Sequence, residues 1–436
     1  MKRKLMKNLL LWKKKKDRKP LLVKGVRQVG KTHLLKNFGK DNFPQYHYIN
    51  FEKMPKMATI FEPDLDPKRI LSDLSFYLGK SIQVGKDLLI FDEIQECPKA
   101  LTSLKYFQEE MPKLHLCGAG SLLGLHLNSG SFPVGKVTFE TLRPLSFEEF
   151  LWATKSKSLP YYENPKKISS VIHEYLWEEL KHYFIVGGLP EVVKVYCEKK
   201  ENLFEAFSEV RKKQDDLLKS YYADIAKHSG KVNAMHIDRV LNSIPAQMSQ
   251  VHDGSITRYK FRGVVPGITH YDRIVGAIDW LEATGLAVKI SIVNSANLPF
   301  RAYTKENAFK LLLFDVGILG SMAGLSPNVL LKATYGSYKG YFAENFVAQE
   351  LLASGQEDLY CWQEKRMEVE FILDVQGEVI PMEVKAGRIT KAKSLHIFAE
   401  KYRPPFQVIF SGKPFCEKPK IKLYPLYLAG KYNGYM

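Results

Sequence analysis

Two hydrophobic rhythms run along this chain. From Pro20 to about Phe150, short apolar runs alternate with stretches that have apolar residues at helical spacing. Such runs are too brief for helices and read as buried strands, and regular alternation of strand and helix predicts a parallel sheet. The predicted strands are Leu21–Val23, Tyr46–Asn50, Asp87–Phe91 and Lys113–Cys117. Residues 151–230 read as helical, broken where Gly187-Gly188-Leu189-Pro190 interrupts the spacing. Residues 231–305 read as two helices and then a strand pair. Ile274–Leu281 is helical, Gly285–Ser291 is a strand, and a second strand falls around Arg301–Tyr303. Helices followed by a hairpin suggest either a winged helix or a helical module packed on the core. From about Gly340 the pattern changes to an amphipathic helix, Tyr341–Glu350, and two strands, Met367–Leu373 and Val379–Lys385, joined by a turn at Asp374–Gly377.

The turn after the first strand carries specific chemistry. Gly25-Val26-Arg27-Gln28-Val29-Gly30-Lys31-Thr32 has the spacing G-x-x-x-x-G-K-[ST], and the predicted helix from His33 follows directly. Glycines at both ends let the backbone curl its N–H groups inward toward phosphate oxygens, and the helix aims its positive end at the same anion. Nucleotide contacts are expected from Gly25, Gln28, Val29, Gly30, Lys31, Thr32 and His33. Lys31 would reach the β- and γ-phosphates and Thr32 would hold Mg²⁺. The third strand ends in Asp92-Glu93, a Walker B pattern. Asp92 would be the second metal ligand and Glu93 would orient the attacking water, which points to hydrolysis and to ATP and Mg²⁺ as cofactors. Ser121, at the tip of the next strand, is a candidate sensor of the γ-phosphate. Arg143 or Lys136 would act as a charge-stabilising finger toward a neighbouring subunit, with a plain surface charge as the alternative for each.

Composition adds a partner class. Lys plus Arg number 64 against 47 Asp plus Glu, a net charge of +17 over 436 residues. That excess favours an anionic partner, meaning nucleic acid, phosphates or a lipid surface. The run Lys13–Lys16 reads as a solvated helix face or a nucleic-acid arm. Five cysteines without a C-x-x-C argue for a reducing compartment and against a structural zinc. The apolar stretch Leu9–Trp12 is too short for a signal peptide, and no run is long enough for a membrane span, so a cytoplasmic location without a membrane partner is expected.

The C-terminal strands carry a second constellation. Ile380, Met382 and Val384 fall on one face of their strand, Glu383 and Lys385 on the other. A helical Glu344, the strand acid Glu370 and the pair Glu383, Lys385 have the layout of a PD-(D/E)XK nuclease site. Its carboxylates would bind Mg²⁺ and its lysine would polarise the attacking water or the scissile phosphate. The alternative is a hairpin whose charges face water.

In this order, the pieces resemble bacterial and archaeal AAA-type ATPases with a C-terminal domain of unassigned function and nuclease-like character. The matching pieces are Gly25–Thr32, Leu88–Glu93, Arg143–Leu151, Gly187–Pro190, Lys310–Gly317, Glu344–Val347, Glu368–Leu373 and Glu383–Lys385. The resemblance implies an α/β chain with a P-loop core in 1–155, a helical lid in 156–230, a winged-helix-like domain in 231–330 and a restriction-endonuclease-like domain in 331–436. It implies an ATPase whose nucleotide state controls the C-terminal domain, with DNA and a homo-oligomer or protein partner expected. The alternative is an ATP-gated scaffold with an inactive nuclease-like domain. Three positions depart from the family pattern: Glu370 stands for Asp, Ala119 for Ser and Lys136 for Arg.

Overall fold

Five short apolar strands, none stable alone, are gathered into one parallel sheet near the N-terminus. They are β1 (Leu21–Lys24), β2 (Tyr46–Asn50), β3 (Leu88–Asp92), β4 (His115–Gly120) and β5 (Thr138–Thr141). The order is β2-β3-β4-β1-β5, and all four pairings are parallel. Every residue of β3 and β4 is buried, as expected of central strands covered on both faces. Helices Lys31–Asn42, Pro67–Leu78 and Pro98–Glu110 connect them. Leu22, Ile49, Phe61, Leu74, Phe91, Leu104 and Phe107 form one apolar core with them. Because β4 lies between β1 and β3, the chain leaving β4 emerges between the loops that follow those two strands. In parallel sheets that carboxyl edge is where ligands bind.

This computed structural model describes the chain except residues 127–132, 134, 166–167, 249–257, 333–337, 366, 388–391 and 435–436. It divides into two units. One comprises Lys2–Arg143 with Ala283–Gly285, the other Pro144–Glu282 with Leu286–Met436. Among the described residues, no helix is long and apolar enough to cross a membrane.

The second unit opens with helices Phe147–Thr154, Ser170–Val186, Pro190–Lys199, Leu203–His228 and Lys231–Met248. The acids after Arg143 turn out to be structural. Ser146 and Glu149 form a capping box on the first of these helices, and the Phe147 N–H donates to Glu350 Oε1 at 2.8 Å. An eight-stranded sheet follows, made of β6 (Ala287–Val293), β7 (Thr304–Leu313), β8 (Leu359–Glu364), β9 (Met367–Val375), β10 (Glu378–Val384), β11 (Gln407–Ser411), β12 (Cys416–Lys418) and β13 (Ile421–Pro425). Its order is β12-β13-β11-β10-β9-β8-β6-β7.

Two sequence expectations change here. Arg301–Tyr303, around which a strand was expected, lies in the short 3₁₀ turn Phe300–Tyr303, and the strand is β7 just after it. Burial is the reason, since the continuous buried run is Ala308–Leu313 and not Arg301–Tyr303. The hairpin is also no free-standing wing. β6 pairs in parallel with β8, Ile290 opposite Leu359 and Val293 opposite Trp362, so it extends the C-terminal sheet. Ile290, Ile292 and Val293 are apolar and gain that cover.

Two sequence-distant motifs meet in this unit. Asp315 caps helix Val316–Met322, its Oδ1 accepting the N–H groups of Gly317 and Ile318 at 3.0 Å each. Its Oδ2 accepts the Gly188 N–H at 2.6 Å. Complete burial pushes this carboxyl up to about 6, and the three N–H groups hold it back from rising further.

Candidate active site

The loop after β1 is tightly curled. Gly25 has φ 156°, and a Cβ there would stand 2.1 Å from the Leu142 carbonyl oxygen. Gln28 (φ 65°) and Gly30 (φ 96°) are left-handed, which curls the loop before the helix begins at Lys31. No side chain caps that helix, so its first N–H groups stay available to an anion. Val29 is buried, and its carbonyl accepts from Arg3 Nη1 at 3.0 Å. The other arm of Arg3 donates to the Arg143 carbonyl. One buried guanidinium therefore ties the loop to the end of β5.

Lys31 is buried, and its Nζ donates to Gly25 O at 2.9 Å, Val26 O at 3.1 Å and Ser121 Oγ at 2.8 Å. Burial lowers its pKa to about 8, against the pull of Glu93 and Asp92. Thr32 Oγ1 donates to Asp92 Oδ2 at 2.8 Å. Tyr48 and Asn50 donate to the same oxygen at 2.7 and 3.3 Å. The β2–β3 register explains this, since Asn50 stands opposite Asp92. Burial, then the bond to Asp92, raises the Tyr48 pKa and keeps its proton in place. Asp92 Oδ1 is buried with no partner among the described residues. Glu93 sits at φ 48°, its Oε2 accepting from Gln95 Nε2 at 2.7 Å.

The structure thus brings Lys31, Thr32, Asp92, Glu93 and Ser121 to one sheet edge. His33 lies off this cluster, exposed and bonded to Asn37 at 3.0 Å. Gln28 has a buried Oε1 without a partner among the described residues. Arg143 is half-buried just after β5, in the same unit as the loop. Lys136 is paired with Glu109 at 2.9 Å. Sequence reasoning missed Arg3, Tyr48, Asn50 and Gln95. For Asn50 the signal was present, because it ends the strand preceding the acidic one.

The lowered Lys31 pKa has a consequence for binding. A phosphate needs the ammonium form and raises its pKa, so proton and anion binding reinforce each other. Affinity for an ATP analogue should be flat below pH about 7.5 and fall as pH rises through about 8, by roughly tenfold at pH about 9. Titration of a fluorescent analogue at several pH values reads this directly. In Lys31→Arg, whose guanidinium stays charged, the fall should vanish.

The C-terminal constellation is also assembled. Glu344 comes from helix Tyr338–Ala353, Glu370 from β9, Glu383 from β10, and Lys385 follows β10. Glu383 Oε1 lies 2.6 Å from Lys385 Nζ. Glu370 Oε2 accepts the Val384 N–H at 3.4 Å. Burial, then Glu383, holds the Glu370 carboxyl well above the usual carboxylate range. The acids Glu370 and Glu383 of the hairpin do not face water. Glu370 and Glu383 are buried because β10 is an interior strand covered by helices Tyr338–Ala353 and Lys393–Tyr402. The expected three-carboxylate metal site is not formed. Among the described residues no group of three His, Cys, Asp or Glu side chains is arranged to hold a metal ion. Glu344 Oε1 instead accepts from Lys310 Nζ at 2.8 Å, and Lys310 also donates to Glu368 Oε1.

Residues 17–151 match the family described as AAA domain. Residues 177–329 and 339–422 match two families, each described as a domain of unknown function (DUF8612 and DUF4143). Among curated proteins, none matches the sequence. A Walker-type ATPase of Pyrococcus abyssi is similar in structure with TM-score 0.47 and 16% identity, over 74% of this chain and 95% of that one. The Orc1 protein of Aeropyrum pernix, in complex with DNA, gives 0.32 and 14% over 73% and 90%. AMPPCP-bound DnaA from Aquifex aeolicus gives 0.27 and 15% over 61% and 82%. The parallel order β2-β3-β4-β1-β5 and the curled loop before Lys31 make an α/β P-loop core, in the residues that match the AAA domain family.

Proposed function

We propose that the chain binds and hydrolyses ATP with Mg²⁺. The observation that carries this is the pairing of Thr32 Oγ1 with Asp92 Oδ2 at 2.8 Å beside a buried Asp92 Oδ1 without a partner among the described residues. A hydroxyl and a spare carboxylate oxygen next to a buried ammonium fit Mg²⁺, which supplies charge neutralisation at the β- and γ-phosphates when bound. Lys31 exchanges the loop carbonyls for phosphate oxygens. Glu93, oriented by Gln95, accepts the hydrogen bond of the attacking water. Ser121, bonded to Lys31, is placed to respond to the terminal phosphate. Arg143 is the candidate finger toward a second copy.

Glu93→Gln tests this reading. MgATP affinity should stay within about twofold while turnover drops roughly 10²-fold or more, the range for a positioned base. Unchanged turnover overturns it.

The C-terminal unit is read as nuclease-like, with helix Tyr338–Ala353, the meander β8–β10, helix Lys393–Tyr402 and the parallel strand β11. Nucleotide state would control it, and the charge of +17 favours DNA as the partner. The ion pairs of Lys310 favour a second reading, an ATP-gated scaffold with an inactive nuclease-like unit. Stimulation of turnover by DNA supports the first reading, and indifference supports the second.

A further inference from the structure

We infer that Lys310 is the resident cation of the C-terminal carboxylate cluster, held between Glu344 and Glu368, so that this cluster excludes a divalent metal. The inference stands whether or not ATP is hydrolysed. Lys310 is completely buried on β7, a strand far in sequence from the hairpin. Its Nζ joins Glu344 Oε1, at 2.8 Å, to Glu368 Oε1. Lys385 covers Glu383 Oε1 at 2.6 Å. Two lysine side chains thus reach Glu344, Glu368 and Glu383.

A divalent ion needs several oxygens turned toward one point. Here Glu344 points its Oε1 at an ammonium, and Glu370 takes a backbone N–H. Glu383 Oε2 is buried without a partner among the described residues, and one oxygen does not make such a site. To admit the metal, Lys310 would have to leave both carboxylates. Its side chain has no exposed surface, and a buried ammonium stripped of its partners is strongly disfavoured. Two of the cluster's carboxylates are therefore already held by a buried ammonium from within the fold. It fastens β7 to helix Tyr338–Ala353 and to β9, and no metal-activated water arises there.

The test is Mn²⁺ uptake by the full chain without nucleotide, read by electron paramagnetic resonance. Wild type and Glu383→Gln should take up equal amounts, because any uptake at Asp92 is common to both. Lys310→Met should gain one further Mn²⁺, and Lys310→Met with Glu383→Gln should lose it again. Mn²⁺ should also raise the melting temperature of Lys310→Met more than that of wild type. Uptake by wild type that Glu383→Gln abolishes overturns the inference. So does a folded Lys310→Met that gains no Mn²⁺. Should Lys310→Met fail to fold, the comparison of wild type with Glu383→Gln decides alone.

Discussion

ATP turnover should fall about 10²–10³-fold when Lys31 is replaced by alanine, the range for losing one preorganised donor at developing charge. The ammonium is buried beside the two acids and is already held by Gly25, Val26 and Ser121 at 2.8–3.1 Å. It needs little reorganisation to meet a phosphate. The same variant separates function from folding. Burial disfavours the charged lysine, so the fold carries a penalty below pH about 8 that alanine removes, partly offset by the three lost hydrogen bonds. Thermal melts should therefore stay within about 3 °C of wild type while a phosphate-release assay reports the loss. Wild-type turnover in Lys31→Ala would mean that the loop grips no triphosphate.

Gly187→Ala should be the most damaging small substitution in the second unit. Gly187 has φ 73° and ψ −166°, a region open essentially to glycine alone, and holding alanine there costs about 1–3 kcal/mol. A Cβ there would also stand 2.1 Å from Asp315 Oδ1. That oxygen caps helix Val316–Met322, and its twin holds the Gly188 N–H, so the carboxylate cannot retreat without releasing buried N–H groups. The sum is about 3–5 kcal/mol, or roughly 2–4 °C of melting temperature for each kcal/mol. Differential scanning calorimetry reads it, and a shift under about 2 °C would contradict the packing described for this junction.

How legible each part was in sequence follows from how local it is. The P-loop and the acidic end of β3 were readable because strand, turn and helix are contiguous and their residues act through the backbone beside them. Tyr48 and Gln95 were not, since they reach Asp92 and Glu93 only through strand register or a turn, and Asn50 gave a signal only by ending its strand. The hairpin acids Glu370 and Glu383 were legible from period-two spacing, yet their burial depends on helices packed over the sheet. Lys310 sits inside the apolar run Ala308–Leu313, where a lone lysine gives no hint of its partners. The pairing of β6 with β8 joins segments separated by β7, and neither segment alone encodes it.

That pairing makes the second unit indivisible. Trimming the chain to 339–422 would strip β6 from β8 and bare a row of amide and carbonyl groups. It would also leave Glu344 and Glu368 in apolar surroundings without their ammonium. A module border drawn by family boundaries thus runs through the middle of one hydrogen-bonded surface.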